Sequence, residues 1–250
     1  MGNTEILILA GALVGGYVNG LTGFGTGLTA LVFWLQAVPP VVAAPLVLIC
    51  SIIAHVQTLP AIRHAIVWRR VLPFVLGGLV GVPIGTTILP HVPAQQFKLF
   101  VGGLLIVYCS FMLLRRANVV VAWGGRFVDG AVGLCGGILG GLAGLSGVLP
   151  TIWVSLRAWD KDEKRAVIQV FNMSILSFAA ASQAFGGLMT IEVARLAAVA
   201  LPGTLLGVWM GRKTYDRLGN SRFNQVVLVL LLLAGVSIIV TWVHKALTSA

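Results

Sequence analysis

The chain has 250 residues, 58% of them hydrophobic and 10% charged, with a formal net charge of +10. A soluble domain carries roughly 25% charged residues, so these figures exclude a soluble globular protein. Continuous apolar runs without the alternation of a barrel strand point to an integral membrane protein built of helices.

Eight apolar segments follow in chain order, at about residues 5–34, 41–60, 71–89, 97–114, 127–159, 167–187, 196–210 and 226–243. The first lacks a basic leader and is too long for a signal-peptide core, so no cleavage is expected. A crossing takes about 20 residues; the first and fifth segments are longer and share a glycine motif. It reads Gly15-Gly16-Tyr17-Val18-Asn19-Gly20-Leu21-Thr22-Gly23-Phe24-Gly25-Thr26-Gly27 in the first copy. In the second it reads Gly136-Gly137-Ile138-Leu139-Gly140-Gly141-Leu142-Ala143-Gly144-Leu145-Ser146-Gly147-Val148, identical at five of thirteen positions at an offset of 121. Gly77, Leu79, Gly81, Val82, Gly85 and Phe97 match Gly203, Leu205, Gly207, Val208, Gly211 and Phe223 at an offset of 126. Order and spacing together predict residues 1–118 duplicated as 122–250.

The 17 Lys and Arg residues decide between topologies. If every segment crosses once, the two sides collect eight and nine cations, with no positive-inside bias. If segments one and five are hairpins that enter and leave by one face, the sides collect 14 and three. The predicted fold is therefore an all-α polytopic membrane protein of two inverted-topology repeats. Each repeat is a broken or re-entrant glycine-rich hairpin plus three transmembrane helices, with both termini outside and the hairpin tips meeting near the midplane; splitting each long segment into two short crossings gives the same parity. Trp34, Trp68, Trp123, Trp159 and Trp242 lie at segment ends, where an aromatic belt sits, and Trp209 is read as packing. The net charge is read as topology-setting rather than nucleic-acid binding, and Cys50, Cys109 and Cys135 as free buried thiols without metal spacing.

Glycine breaks a helix and admits a ligand to main-chain amides. A short helix starting at such a break aims free N–H groups and the positive end of its dipole at a cavity, which favours a small anion. A matched pair of breaks in two halves points to a transporter's substrate site. The candidate substrate-binding residues are Asn19, Thr22, Gly23, Gly25 and Thr26 at the first tip, Gly144, Ser146 and Gly147 at the second, and Ser51 and Asn172, which match at the 121 offset in the helix after each hairpin. Close packing through small residues and interhelical hydrogen bonds are the competing readings. His55 is read as a satisfied histidine near a helix end rather than a proton-linked group, and Asp129 as an ion-pair partner of Arg126 one turn earlier. No Lys or Arg sits deep in a segment unless Arg126, Arg157 or Arg165 folds inward.

The run Gly20-Leu21-Thr22-Gly23-Phe24-Gly25-Thr26-Gly27 and its counterpart Gly141-Leu142-Ala143-Gly144-Leu145-Ser146-Gly147-Val148-Leu149-Pro150 carry a resemblance, together with the basic loop Lys161-Asp162-Glu163-Lys164-Arg165-Ala166 and Phe171. In these the chain resembles the sulfite exporter TauE/SafE family of bacterial membrane proteins over nearly its whole length. Ser146 and Val148 stand where glycine is common in that family. The resemblance implies a multi-pass permease of the bacterial cytoplasmic membrane that exports sulfite, an organosulfonate such as sulfoacetate, or a related anion by alternating access. No residue pattern pairs a nucleophile with a base, so no enzyme activity and no cofactor are expected; a permease for another small anion or solute and a non-transporting membrane subunit are the alternative readings. The implied partners are the small sulfur-containing anion and the lipid bilayer, not nucleic acid, and a homodimer is compatible with the sequence. A membrane potential negative inside would favour expulsion by about 2.3 kcal/mol per charge per 100 mV.

Overall fold

The computed structural model describes residues 2–114, 121, 123–217, 232, 235 and 236. Among the described residues there are nine α-helices and no strand. They are α1 (Asn3–Thr22), α2 (Thr26–Ala37), α3 (Pro40–Thr58), α4 (Trp68–Ile88), α5 (Ala94–Leu114), α6 (Gly125–Ala143), α7 (Val148–Ser155), α8 (Lys161–Phe185) and α9 (Ile191–Arg217). All except α2 and α7 are long and apolar enough to cross a membrane. The expected last segment, with Arg222, Phe223, Trp242 and Lys245, lies outside the described residues but for three helical positions, as do Arg115, Arg116 and the Arg217 side chain.

Both glycine-rich segments fold back on themselves. Helix α1 ends at Gly23 and α6 at Gly144, each in the left-handed region at φ 82° and 68°, where a side chain would be strained. Beyond the first break α2 runs back along α1: Asn19 meets Thr26, Gly15 abuts Thr26 and Ala30, and Trp34 Nε1 donates to Ile8 O at 2.9 Å. Beyond the second, α7 runs back along α6: Ser146 and Pro150 lie on Gly136, and Trp153 Nε1 donates to Asp129 Oδ1 at 2.7 Å. The two arms of each hairpin are unequal. The first arms of 20 and 19 residues span roughly 30 Å at 1.5 Å per residue, the returning arms of 12 and 8 residues about 18 and 12 Å.

The first arms pair across the molecule. Helix α1 lies parallel to α9, so that a Cβ on Gly203, Gly207 or Gly211 would strike the main chain of Leu9, Leu13 or Tyr17, and one on Gly16 or Gly20 that of Thr204 or Val208. Helix α6 lies parallel to α4 in the same way. Gly77, Gly81 and Gly85 sit on the carbonyls of Gly130, Leu134 and Ile138, and Gly133, Gly137 and Gly141 on those of Phe74, Gly78 and Val82. Four-residue spacing puts each set on one helix face, and the missing side chains let backbones touch. Much of the glycine motif is therefore a packing surface, and only its end forms the break.

The cations gather at one end of the bundle. Arg70 pairs with Glu163, joining the starts of α4 and α8. Arg212 donates to the Gln57 carbonyl at 2.9 Å, joining the ends of α9 and α3. Of the Lys and Arg whose side chains are described, ten fall at this end and two, Lys98 and Arg195, at the other. Lys161 to Ala166, read as a loop, instead opens α8: Asp160 stands at its N-cap, and Asp162 and Glu163 in the first turn suit the dipole.

Other local expectations change too. Arg157, not Arg126, is the partner of Asp129: the pair is 2.9 Å apart, with each side chain 8% exposed. Arg157 also donates to the Trp123 carbonyl and lies 4.5 Å from the Trp153 ring centroid. An arginine does fold inward, but a carboxylate neutralises it. Trp34 is fully buried rather than in a belt, because its indole N–H has a partner inside the hairpin. Trp209 is 57% exposed rather than packed, with Lys213 Nζ 4.9 Å from its ring. Cys50 and Cys109 are buried, whereas Cys135 is exposed on the outer face of α6.

Candidate functional site

The two hairpin tips meet beside the middles of α3 and α8. Gly27 and Gly144 both pack on Val47 of α3, and Gly147 on Asn172 of α8. Between them lies a small recess. Eight of the ten candidate residues line it: Asn19, Gly25, Thr26, Ser51, Gly144, Ser146, Gly147 and Asn172. The matched pair Ser51 and Asn172 thus face one space from different helices.

Thr22 and Gly23 do not line it. The Thr22 hydroxyl shares its one proton between Val18 O at 2.9 Å and Phe24 O at 2.7 Å, which fastens the end of α1 to the break. Gly23 packs against Gln169 and Arg165 of α8. Both residues shape the first tip rather than the space beside it.

The recess offers several donors beside one buried acceptor, Asn19 Oδ1, that has no partner among the described residues. Helix α2 starts from Gly25, which is left-handed at φ 97°, and no side chain caps it. Its first-turn N–H groups therefore have no helical partner and stand at the positive end of its dipole. Asn19 Nδ2 donates to Thr26 Oγ1 at 3.0 Å, which leaves the Thr26 hydroxyl proton for another acceptor. Ser146 Oγ donates to Asn172 Oδ1 at 2.7 Å, which leaves the Asn172 amide N–H2 as a donor. Both bonds fix side chains that are at most 2% exposed, so the donors are held in place before any ligand arrives. No lining residue carries a carboxylate, and His55 is the one lining group able to gain a positive charge.

His55 also lines the recess, where the sequence predicts only a satisfied histidine near a helix end. It is 1% exposed, and its Nδ1 has no hydrogen-bond partner among the described residues. It follows Ser51 by one helical turn on α3, and that i, i+4 spacing was the available signal. Phe24, Leu28, Leu145, Val148 and Leu176 supply the apolar wall. Among the described residues no group of three or more His, Cys, Asp or Glu could hold a metal ion.

The arrangement suits a small anion held by neutral donors in a partly apolar recess. A comparison with protein families agrees: the family described as Sulfite exporter TauE/SafE matches residues 7–238, nearly the whole chain. The chain belongs to that family, and so to a group of integral membrane permeases for sulfur-containing anions. No curated protein and no solved structure gives a match.

Proposed function

We propose that this member of the TauE/SafE family exports a small sulfur-containing anion, sulfite or an organosulfonate such as sulfoacetate, across a bacterial cytoplasmic membrane. The observation that carries the reading is the meeting of two hairpin tips around one recess lined by hydroxyls, amides and the uncapped start of α2. Thr26, Ser51 and the Asn172 amide would bind the anion's oxygens, with Ser146 holding that amide in place, together with main-chain N–H groups of the first turn of α2. Neutral donors hold an anion less firmly than a fixed cation would, and a transporter must release its substrate.

Alternating access would arise from the way the two halves are interleaved. Each hairpin rests on a helix of the other half, α1 on α9 and α6 on α4. We read the halves as inverted repeats: an odd number of crossings before the second hairpin would bring it in from the opposite face. The cation-rich end then faces the cytoplasm. Rocking of one pair of arms against the other would open the recess to either side in turn.

Flux of radiolabelled sulfite and sulfoacetate into everted membrane vesicles tests the function. Accumulation above that of vesicles lacking the protein is expected. Uptake no higher than in empty vesicles for sulfite, sulfoacetate and thiosulfate alike would overturn the reading.

A further inference from the structure

We propose that His55 is the charge-compensating group of the recess: the anion binds together with one proton, which the imidazole takes up. This rests on the recess being the anion site. His55 lines that space, is 1% exposed, and has an Nδ1 atom without a hydrogen-bond partner among the described residues. The other lining residues are Asn, Thr, Ser, Gly and apolar side chains, so none can offset the charge of a bound anion. Helix-start amides and hydroxyls supply partial charges only. An ion taken out of water without a partner is strongly disfavoured. The same holds for an imidazolium in an empty recess. Each ion therefore makes the other's presence favourable, and such coupling is reciprocal.

The charged groups on the surrounding helices do not substitute for it. Glu5 of α1 pairs with Arg195 of α9, Asp129 of α6 with Arg157, and Glu163 of α8 with Arg70. Asp160 precedes α8, and Asp162 of α8 and Glu192 of α9 lie in first turns; all three are exposed. Lys161 and Lys164 belong to the first turn of α8, where Lys164 donates to the Ser155 carbonyl. Arg165 of α8 lies against Gly23, and Arg212 of α9 donates to the Gln57 carbonyl, two residues beyond His55. Lys213 sits on the Trp209 ring, while Arg63 and His64 after α3 and Arg126 of α6 are exposed. Tyr17 of α1 donates to Thr214 on α9. None of these lines the recess.

Calorimetric titration of the purified full-length protein in detergent tests the proposal. Sulfite, sulfoacetate and thiosulfate are the probes, each in two buffers of different ionisation enthalpy, and the proton that sulfite itself binds is subtracted. Near pH 8, where a free imidazole is neutral, about one proton should be taken up per anion bound. Affinity should tighten about tenfold for each pH unit lowered towards pH 7. His55→Gln, which keeps a polar side chain without the charge, should bind at least tenfold more weakly near pH 6, with no proton uptake and no pH dependence. Anion binding by the unaltered protein without proton uptake would overturn the role of His55 and leave the transport reading standing. Proton uptake that persists in His55→Gln would do the same. No binding of any probe at any pH would overturn both. The proton count on the unaltered protein needs no variant, so a misfolded His55→Gln would not blunt the test.

Discussion

The two glycine-rich hairpins begin from nearly the same sequence motif and are secured differently. The first returns by twelve residues, and its base is held by a neutral hydrogen bond from buried Trp34 to the Ile8 carbonyl. The second returns by eight residues, and its base is held by the buried Arg157–Asp129 pair, with Trp153 donating to the same carboxylate oxygen and stacking on the guanidinium. A short arm buries little apolar surface of its own, so directional polar contacts carry more of the task of fixing it. The first hairpin also has an ion pair, Glu5–Arg195, but there the arginine side chain is 78% exposed. One motif thus gives two tips of similar shape on mountings of different strength.

That difference can be broken most sharply at Asp129. Asp129→Ala strands a buried guanidinium and should destabilise the protein by about 3–5 kcal/mol, read as a fall in unfolding midpoint in detergent. A change as small as that from a surface pair would mean that the second hairpin does not depend on its ion pair. Next come the packing faces. Gly16→Ala and Gly137→Ala each push a methyl into the main chain of a neighbouring helix, at Thr204 and Gly78. Each should cost about 1–3 kcal/mol by overpacking, and equal losses would show that both hairpins rest on their partners alike.

Trp34→Phe keeps most of the ring but removes the indole donor to the Ile8 carbonyl, which retains its bond within α1, and unfolding measurements should show a loss of about 1 kcal/mol. At the recess, Thr26→Ala on the first tip and Ser146→Ala on the second should each weaken anion binding by about five- to tenfold, near 1 kcal/mol. Thr22→Ala should leave affinity unchanged, because its hydroxyl is spent on the break itself. If Thr22→Ala weakened binding as much as Thr26→Ala, the anion would sit beyond the recess rather than in it. The smallest effect belongs to Glu5→Ala, under about 1 kcal/mol, since its pair is largely solvated and screened.

The helical class, the hairpins and most of the lining were readable from residue order. Glycines at matched intervals mark where helices end, and the distribution of cations selects fold-back over a straight crossing. Eight of the ten candidate residues share one space because a tip residue and a polar residue in the middle of the next long helix are brought together when each hairpin packs on that helix. Thr22 and Gly23 carried the same composition signal, yet a one-residue difference in position turns a side chain from the recess towards the break. The pairing of Asp129 with Arg157 was hidden because the partner lies 28 residues away, on the returning arm, while Arg126 one turn off is the nearer match in sequence.

By itself the sequence determined that the chain is a bundle of membrane-length helices interrupted at Gly23–Gly25 and at Gly144, because hydropathy and glycine act locally on whichever helix contains them. Only the tertiary structure decided which glycines are packing and which are breaks. Gly16 and Gly137 rest on α9 and α4, while Gly23 and Gly144 take left-handed turns, and that division depends on what each helix face meets. The tertiary structure also placed His55 in the recess. A histidine four residues from a serine has the same spacing whether it faces lipid, a neighbouring helix or the tips of both hairpins, and only the packing of α1, α2, α6, α8 and α9 around α3 makes the choice.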